Sequence, residues 1–447
     1  MSLPRYGAYK PSGTSWLADV PAHWNIRRLG YFFEERREKV SDKDFPPLSV
    51  TKLGIVPQLD TAAKTDDGDN RKKVVAGDFV INSRSDRKGS SGAANQDGSV
   101  SLINTVLRPV TGIDINFAHH LLRSMPFQEE YYRYGKGIVA DLWSTNYSEM
   151  RNIMLALPDV GEQGAIASFL DRETAKIDAL IAEQEKLMGL LAEKRQATIF
   201  HAVTKGLNPN ALMKDSGVAW LGEVPEHWKV GKAGFYISVL PGYAFSSTGF
   251  SLDDNNVKLL RGINVGVGEL KWDEVVYWSR TEADGLDAFE LDAGDVVIGM
   301  DRPLISTGMR VALVKKSDLP CLLLQRVAKI RPSESVEGCF MMRLLSSRAF
   351  EAHFAPETTG VSVPHISGEQ IANFVIPVPP LDEQKRICNF LDAELAKLDG
   401  LTLESERAIA LFVERRAALI SAAVTGQIDV RGVRSQTILE SPEAIAA

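Results

Sequence analysis

The chain has 447 residues, 44% of them hydrophobic and 24% charged, with a formal net charge of −7. That length exceeds one ordinary core and predicts two or more domains, and the balance of residue types excludes a disordered polyelectrolyte. No run approaches the ~20 apolar residues of a membrane span, and the start carries no basic patch followed by an apolar core. Cys321, Cys339 and Cys388 and the seven histidines have neither disulfide nor metal-ligand spacing, so a reduced, cytoplasmic chain is expected.

In chain order, residues 1–157 read as a first globular domain and 158–207 as a long helix. Residues 208–378 read as a second domain, 379–429 as a second long helix and 430–447 as a flexible tail. The first domain opens on KPSGTSWLADVPAHW from Lys10. Short apolar runs at Val74-Val75, Phe79-Val80-Ile81, Leu102-Ile103 and Val106-Leu107 predict strands, and Phe117 to Ser124 predicts a helix. A polar loop, Asn82 to Gly92, follows the second run. It offers Arg84, Ser85, Arg87 and Lys88 among small residues, with Asn95 just beyond. Another loop, Gly135-Lys136-Gly137-Ile138, precedes the long helix.

From about Glu162 to Thr204 no proline interrupts the chain. Ile166, Leu170, Glu173, Ile177, Leu180, Gln184, Leu187, Leu191, Lys194 and Thr198 follow the alternating four-and-three spacing of a coiled-coil seam. Pro158 bars helix upstream, while Gly206 and Pro209 end it. Forty-odd residues at 1.5 Å each predict a helix of roughly 60 Å.

The second domain repeats this order. KDSGVAWLGEVPEHW from Lys214 matches the Lys10 block at nine of fifteen positions, at an offset of 204. Strands are expected at Leu259-Leu260, Val296-Val297-Ile298, Val311 to Val314 and Leu322 to Leu324, and a helix from Cys339 to Phe350. The loop after Gly294-Asp295-Val296-Val297-Ile298 supplies Arg302 and Arg310. Thr359 to His365, with Ser362 and His365, precedes the second helix, and Arg261 lies after an earlier strand. PPLDEQKRICNFLDAELAKLD from Pro379 matches PDVGEQGAIASFLDRETAKID from Pro158 at eleven of twenty-one positions, at an offset of 221. Its seam reads Ile387, Leu391, Glu394, Leu398, Leu401, Ser405, Ala408, Phe412, Arg415 and Leu419. Gly77-Asp78 with Gly294-Asp295, and Leu107-Arg108-Pro109 with Ile330-Arg331-Pro332, extend the match. The period is far longer than a solenoid unit, so the chain is a duplicated domain with divergent interiors.

Duplication bears on function. A duplicated enzyme repeats its catalytic residues, and no Ser/His/Asp set recurs. A GxxxxGKS-type phosphate loop, the Asn/Asp-Pro-Pro-Tyr/Phe tetrad of adenine methyltransferases and a nuclease carboxylate–lysine cluster are all missing. Arginine and asparagine in polar loops suit bases, and Gly/Ser backbone suits phosphates. Charge offers mixed support: residues 1–156 balance at +3 and 208–378 at −5. Glu162-Gln163 and Glu383-Gln384 suit a helix cap or a contact at the helix start. His23 and His227, between proline and tryptophan, read as packing or turn residues.

The Trp16-Leu17…Val20-Pro21-Ala22-His23-Trp24 anchor, the Pro379-to-Gln384 block and Gly-Asp-Phe-Val-Ile resemble the DNA-specificity subunit of type I restriction-modification systems, over about Lys10 to Gln427. The resemblance implies an α+β fold with an internal pseudo-two-fold repeat. In it, two target-recognition domains are separated by two long antiparallel coiled-coil helices. It implies a non-catalytic subunit that reads a split, asymmetric site in double-stranded DNA and docks two methyltransferase subunits. Through them come restriction and motor subunits, while S-adenosylmethionine, ATP and magnesium belong to those partners and no cofactor to this chain. The expected DNA-facing residues are Arg84, Ser85, Arg87, Lys88, Asn95, Lys136, Arg261, Arg302, Arg310, Ser362 and His365. Partner or interhelix contacts are expected at Glu162, Gln163, Glu383, Gln384, Leu180 and Leu401. One departure, Pro158-Asp159-Val160-Gly161 against Pro379-Pro380-Leu381-Asp382, threatens only the first helix start. The competing classes are a coiled-coil scaffold whose globular parts bind proteins, and an enzyme acting alone.

Overall fold

The structure, a computed structural model, describes residues 3–59, 68–137, 143–281, 284–358 and 364–432; the side chains of Ser85 and of 354–358 are not described. The chain divides into two compact units, Met1–Gln184 with Glu406–Ala447, and Glu185–Ser405. Each unit therefore holds one globular domain, the start of the long helix that follows it and the end of the other long helix.

In the first unit a four-stranded antiparallel sheet is built from β1 (Phe33–Glu35), β2 (Phe79–Asn82), β3 (Ser91–Ala93) and β4 (Asn104–Pro109), in the order β3-β2-β4-β1. Helix α1 (Ile115–Arg123) follows, capped by Asp114, whose carboxylate accepts from the Asn116 and Phe117 amides at 2.9 Å. Helix α2 (Met125–Arg133) comes next, with Pro126 in its first turn. Trp24, Phe33, Phe79, Leu107 and Phe117 close the core over the start of α3 (Val160–Lys205).

The second unit rebuilds the same sheet from β5 (Ile237–Pro241), β6 (Val296–Gly299), β7 (Val311–Leu313) and β8 (Val327–Pro332), in the order β5-β8-β6-β7. The register repeats as well. Leu107 faces Phe79 in one unit, and Ile330 faces Val296 in the other. Helices α4 (Gly338–Leu345) and α5 (Arg348–Thr358) stand where one helix from Cys339 to Phe350 was expected; the chain turns between them, at Ser346 and Ser347. Leu102 and Ile103, expected in a strand, form a half-exposed turn before β4. The second sheets diverge. Arg71–Val74 pairs only antiparallel, whereas Val257–Leu260 pairs parallel with Cys321–Leu323.

The last helix, α6 (Leu381–Val424), matches α3 in its start and length. The first helix start holds despite its sequence departure, because the Asp159 carboxylate accepts the Glu162 amide at 2.9 Å. Within the first unit, Ile166 and Leu170 share a core with Ala423 and Val424, while Asp178 pairs with Arg416 at 3.0 Å. Within the second, Ile199 and Val203 share a core with Ile387 and Leu391, while Arg195 pairs with Asp399. In each unit the helix segments therefore run antiparallel. The two ion pairs are the same pair twice, since 178 and 399, and 195 and 416, are both 221 apart.

The seam frame needs correction at alternate positions. Thr174, Ile181, Met188 and Arg195 turn inward where Glu173, Leu180, Leu187 and Lys194 were expected, and Leu395 and Thr402 do so where Glu394 and Leu401 were expected; Ala408 and Ile409 are both half-buried. Leu180 and Leu401 are 41% and 47% exposed. Adjacent apolar pairs such as Leu180-Ile181 and Leu187-Met188 fit either frame, so spacing alone cannot choose. The tail is ordered further than expected: Val430 is buried in the first unit's core, and Asp429 donates its amide to the Pro4 carbonyl. The rest of the expected flexible tail, from residue 433 on, lies outside the described residues.

Candidate nucleic-acid interface

Each helix start is tied to its own domain by the Glu-Gln pair. The Gln163 amide donates to the Gly112 and Pro158 carbonyls at 3.0 and 2.9 Å and accepts the Asp114 amide at 2.8 Å. Gln384 repeats this with Ser335, Pro379 and the Glu337 amide at 2.9, 2.9 and 2.8 Å. Both side chains are fully buried. Their position therefore corrects the expectation of a partner contact: a buried amide with three backbone bonds works inside the unit.

Glu162 accepts from Tyr6, Trp24 and His23 at 2.8, 3.0 and 2.8 Å, and Glu383 binds His227 at 2.8 Å. The histidines are thus more than turn residues. The end of the other helix packs on the same anchor. Gly426, at φ 75°, leaves no room for a side chain, because an added Cβ would lie 2.3 Å from Pro21.

With the scaffold so fixed, the loops converge. In the first unit the Thr145 amide bonds to the Ser83 carbonyl at 3.0 Å, and Ser144 bridges both Arg84 and Lys136. In the second, the Ile366 amide bonds to the Met300 carbonyl at 2.9 Å, and His365 bridges Asp301. Thus the loop after the Gly-Asp strand and the loop before the long helix, far apart in sequence, meet at equivalent places in both units.

The second unit's meeting point opens into a cleft of about 1040 Å³. Arg261, Arg302 and Arg310, chosen from sequence, line it together with Lys271, Gln325 and Arg326, which were not. Arg310 is held by the Asp301 and Val265 carbonyls at 3.1 Å each, and burial pushes its guanidinium below the usual arginine range. Arg261 donates to the Glu274 carbonyl at 2.8 Å. Arg302 and Arg326 are exposed and adopt φ of 46° and 69°, the left-handed region that non-glycine residues enter at a cost of ~1–3 kcal/mol. Asp301 tethers both sides, to Arg326 at 3.3 Å and to His365 at 2.7 Å. Ser362 lies outside the described residues.

Five cations around one acidic tether form a local basic face on the acidic half of the chain. Arginine and glutamine there can make paired bonds to purine edges, and exposed Ile263 can meet a thymine methyl. Arg326 and Gln325 escape sequence reading because they sit in a strand connection, Leu324-Gln325-Arg326-Val327, with no loop signature.

In the first unit Arg84 is exposed, Arg87 lies 3.5 Å from its neighbour Asp86, and Lys88 stacks 5.1 Å above the Tyr132 ring. Lys136 pairs with Glu149 at 3.3 Å. Asn95 belongs elsewhere: it follows β3 beside Gly77, at the far end of the hairpin from Arg84. The Ser85 side chain is not described. Among the described residues no group of His, Cys, Asp and Glu is arranged to hold a metal, and no helix is long and apolar enough to cross a membrane.

Comparison with known proteins matches this architecture. A family model described as the type I restriction modification DNA specificity domain fits residues 255–408. The chain is 29% identical to the type I restriction enzyme MjaVIII specificity subunit of Methanocaldococcus jannaschii over 63% of this chain and 64% of that one. It is 37% identical to the EcoAI specificity subunit of Escherichia coli over 38% of this chain and 28% of that one. The matches thus span less than two thirds of either relative. A chain solved in work on complex assembly and conformational transition of the type I R-M system superposes with a TM-score of 0.64 at 19% identity, covering 91% of this chain and 98% of that one. The duplicated anchors, the repeated sheet and these matches together make the chain similar to type I restriction-modification DNA specificity subunits, with residues 255–408 fitting the specificity-domain model.

Proposed function

We propose that this chain reads a bipartite, asymmetric site in double-stranded DNA, one half by each unit, and delivers two methyltransferase subunits to it without performing chemistry itself. The observation that carries the reading is the second unit's cleft, where Arg302 and Arg326 are held in costly backbone conformations beside Arg261 and Arg310. Strain of that kind persists where surrounding structure over-determines it, and here it displays two exposed guanidiniums. The repeated sheet under divergent loops fits one scaffold carrying two readers, related as a pseudo-two-fold repeat.

The long helices pair as an antiparallel coiled coil in this reading, supported by the Asp178–Arg416 and Asp399–Arg195 pairs. Their exposed apolar residues, Leu180 and Leu401 among them, face the methyltransferases, through which restriction and motor subunits join. S-adenosylmethionine, ATP and magnesium reside on those partners. The test is duplex binding by the purified chain, alone and with the host methyltransferase subunit. The reading expects binding that weakens steeply with salt and prefers one sequence. Indifference to DNA in both states would overturn it in favour of a protein-binding scaffold.

A further inference from the structure

A second basic concavity lies in the first unit, away from any residue assigned above except Lys88. It has a volume of about 490 Å³, between α1, α2 and the closing end of α6. Lys52, Lys88, Arg123 and Arg416 line it, with Glu129 as the one carboxylate in its wall. Nearby acids are already engaged: Asp171 by His120 at 2.7 Å, and Asp178 by Arg416 at 3.0 Å. Arg123 has no carboxylate partner among the described residues. It donates to the Lys52 carbonyl at 2.5 Å and faces His119 Nε2 at 2.6 Å.

That last contact is frustrated. His119 Nδ1 meets the Ala93 amide at 3.2 Å, so a neutral ring has one acceptor nitrogen for two donors, that amide and the Arg123 guanidinium. When Nδ1 takes the amide, Nε2–H and the Arg123 guanidinium point at one another. Protonating the ring does not relieve this, and burial beside Arg123 holds His119 down to about 4. An anionic oxygen entering from the pocket would accept from both donors and supply the missing counter-charge.

We propose that this pocket seats a phosphate group, and that its source is the DNA backbone beside the half-site read by the first unit. The DNA source rests on the function proposed above and is argued from continuity: Lys88 and Gly89 belong both to the pocket wall and to the loop that carries Arg84. A phosphate held there fixes register while Arg84 meets base edges.

The second unit lacks the device. Arg195, the counterpart of Arg416, lines a pocket of about 440 Å³ with Ser346, Arg348 and Glu351. Alignment of α1 with α4 on Phe117 and Phe340 puts Met342 at the place of His119 and Ser346 at that of Arg123.

The experiment uses the full chain with a labelled random-sequence duplex across a series of KCl concentrations, for the wild type, Arg123→Gln, Lys88→Gln and Arg348→Gln. Lys88→Gln, at an exposed rim position, keeps the test sound if Arg123→Gln fails to fold. One lost phosphate contact reduces the slope of log affinity against log salt by about 1. That reduction is expected for Arg123→Gln and Lys88→Gln and not for Arg348→Gln. A parallel thermal-shift titration uses inorganic pyrophosphate. Unchanged slopes with pyrophosphate protecting the wild type but not Arg123→Gln would keep the phosphate pocket and assign it a free ligand in place of DNA. Unchanged slopes and no pyrophosphate effect would overturn the proposal. If the wild type ignores the duplex, the DNA reading fails by itself and pyrophosphate alone decides the pocket.

Discussion

Glu162 and Glu383 occupy the same place in the two units, yet they are held differently. Glu162 gathers a tyrosine, a histidine and a tryptophan, with Arg431 at 3.9 Å; Glu383 has His227, and the buried Trp228 indole N–H has no partner among the described residues. The glutamines one residue on are identical in every bond. A similar contrast holds in the sheets. Asp78 and Asp295 are equivalent and both buried, but Arg36 reaches the first from beyond β1, whereas Arg331 reaches the second from β8. Positions that bind backbone are kept because backbone geometry repeats. Positions that bind side chains drift, since a donor can arrive from several directions.

The largest expected effect tests what is shared. Gln163→Ala and Gln384→Ala each remove the side-chain partner of three backbone groups, one buried and two part-buried, and should cost about 2–4 kcal/mol, equally in both units, by urea denaturation. Unequal losses would break the equivalence. Next come the carboxylates. Glu162→Gln should cost about 2–3 kcal/mol and Glu383→Gln about 1, because only Glu162 satisfies several buried donors; the same assay ranks them.

Acid should separate the units further. His120 binds Asp171 where the second unit has Arg343 bound to Asp392 at 2.6 Å. His119 is depressed to about 4 by burial and by Arg123, and His120 is lowered chiefly by burial against the pull of Asp171. A lowered histidine binds its proton more readily unfolded than folded. Its stabilisation is therefore complete above pH ~6.5 and is lost progressively down to pH ~4, on the order of 2 kcal/mol for His119. The first unit should melt earlier over that window. His119→Asn, which keeps an acceptor for the Ala93 amide, should flatten the dependence; calorimetry across pH reads both. The smallest effect belongs to the interhelix pairs. Asp178→Asn and Asp399→Asn should each cost about 0–1 kcal/mol, since those carboxylates are more than half exposed.

Much of this was legible in the sequence, for physical reasons that differ by element. Matched blocks revealed the duplication, and proline and glycine punctuation placed both ends of the first long helix and the start of the second within two residues, whereas the second, expected to run to 429, ends at Val424. The β2 and β6 strands follow their Gly-Asp signals. The seam frame was not legible, because paired leucines and isoleucines satisfy both choices. Arg261, Arg302 and Arg310 could be chosen as basic residues in or beside polar loops. Their meeting with Arg326 and Lys271 depends on strand pairing that no local pattern encodes. Asn95 lies apart from Arg84 because a hairpin reverses direction between them. His119 and Arg123 carry no motif, and only packing against α6 makes them a pocket.

The most direct measurement is methylation mapping of the host genome with Arg84→Ala and, separately, Arg302→Ala. If each unit reads its own half-site, each variant relaxes one half of the methylated motif, a different half in each case. A lost base contact should weaken discrimination by about 1–3 kcal/mol at the affected position. Relaxation of the same half by both variants, or an intact motif with uniformly reduced methylation, would contradict the division of reading between the units.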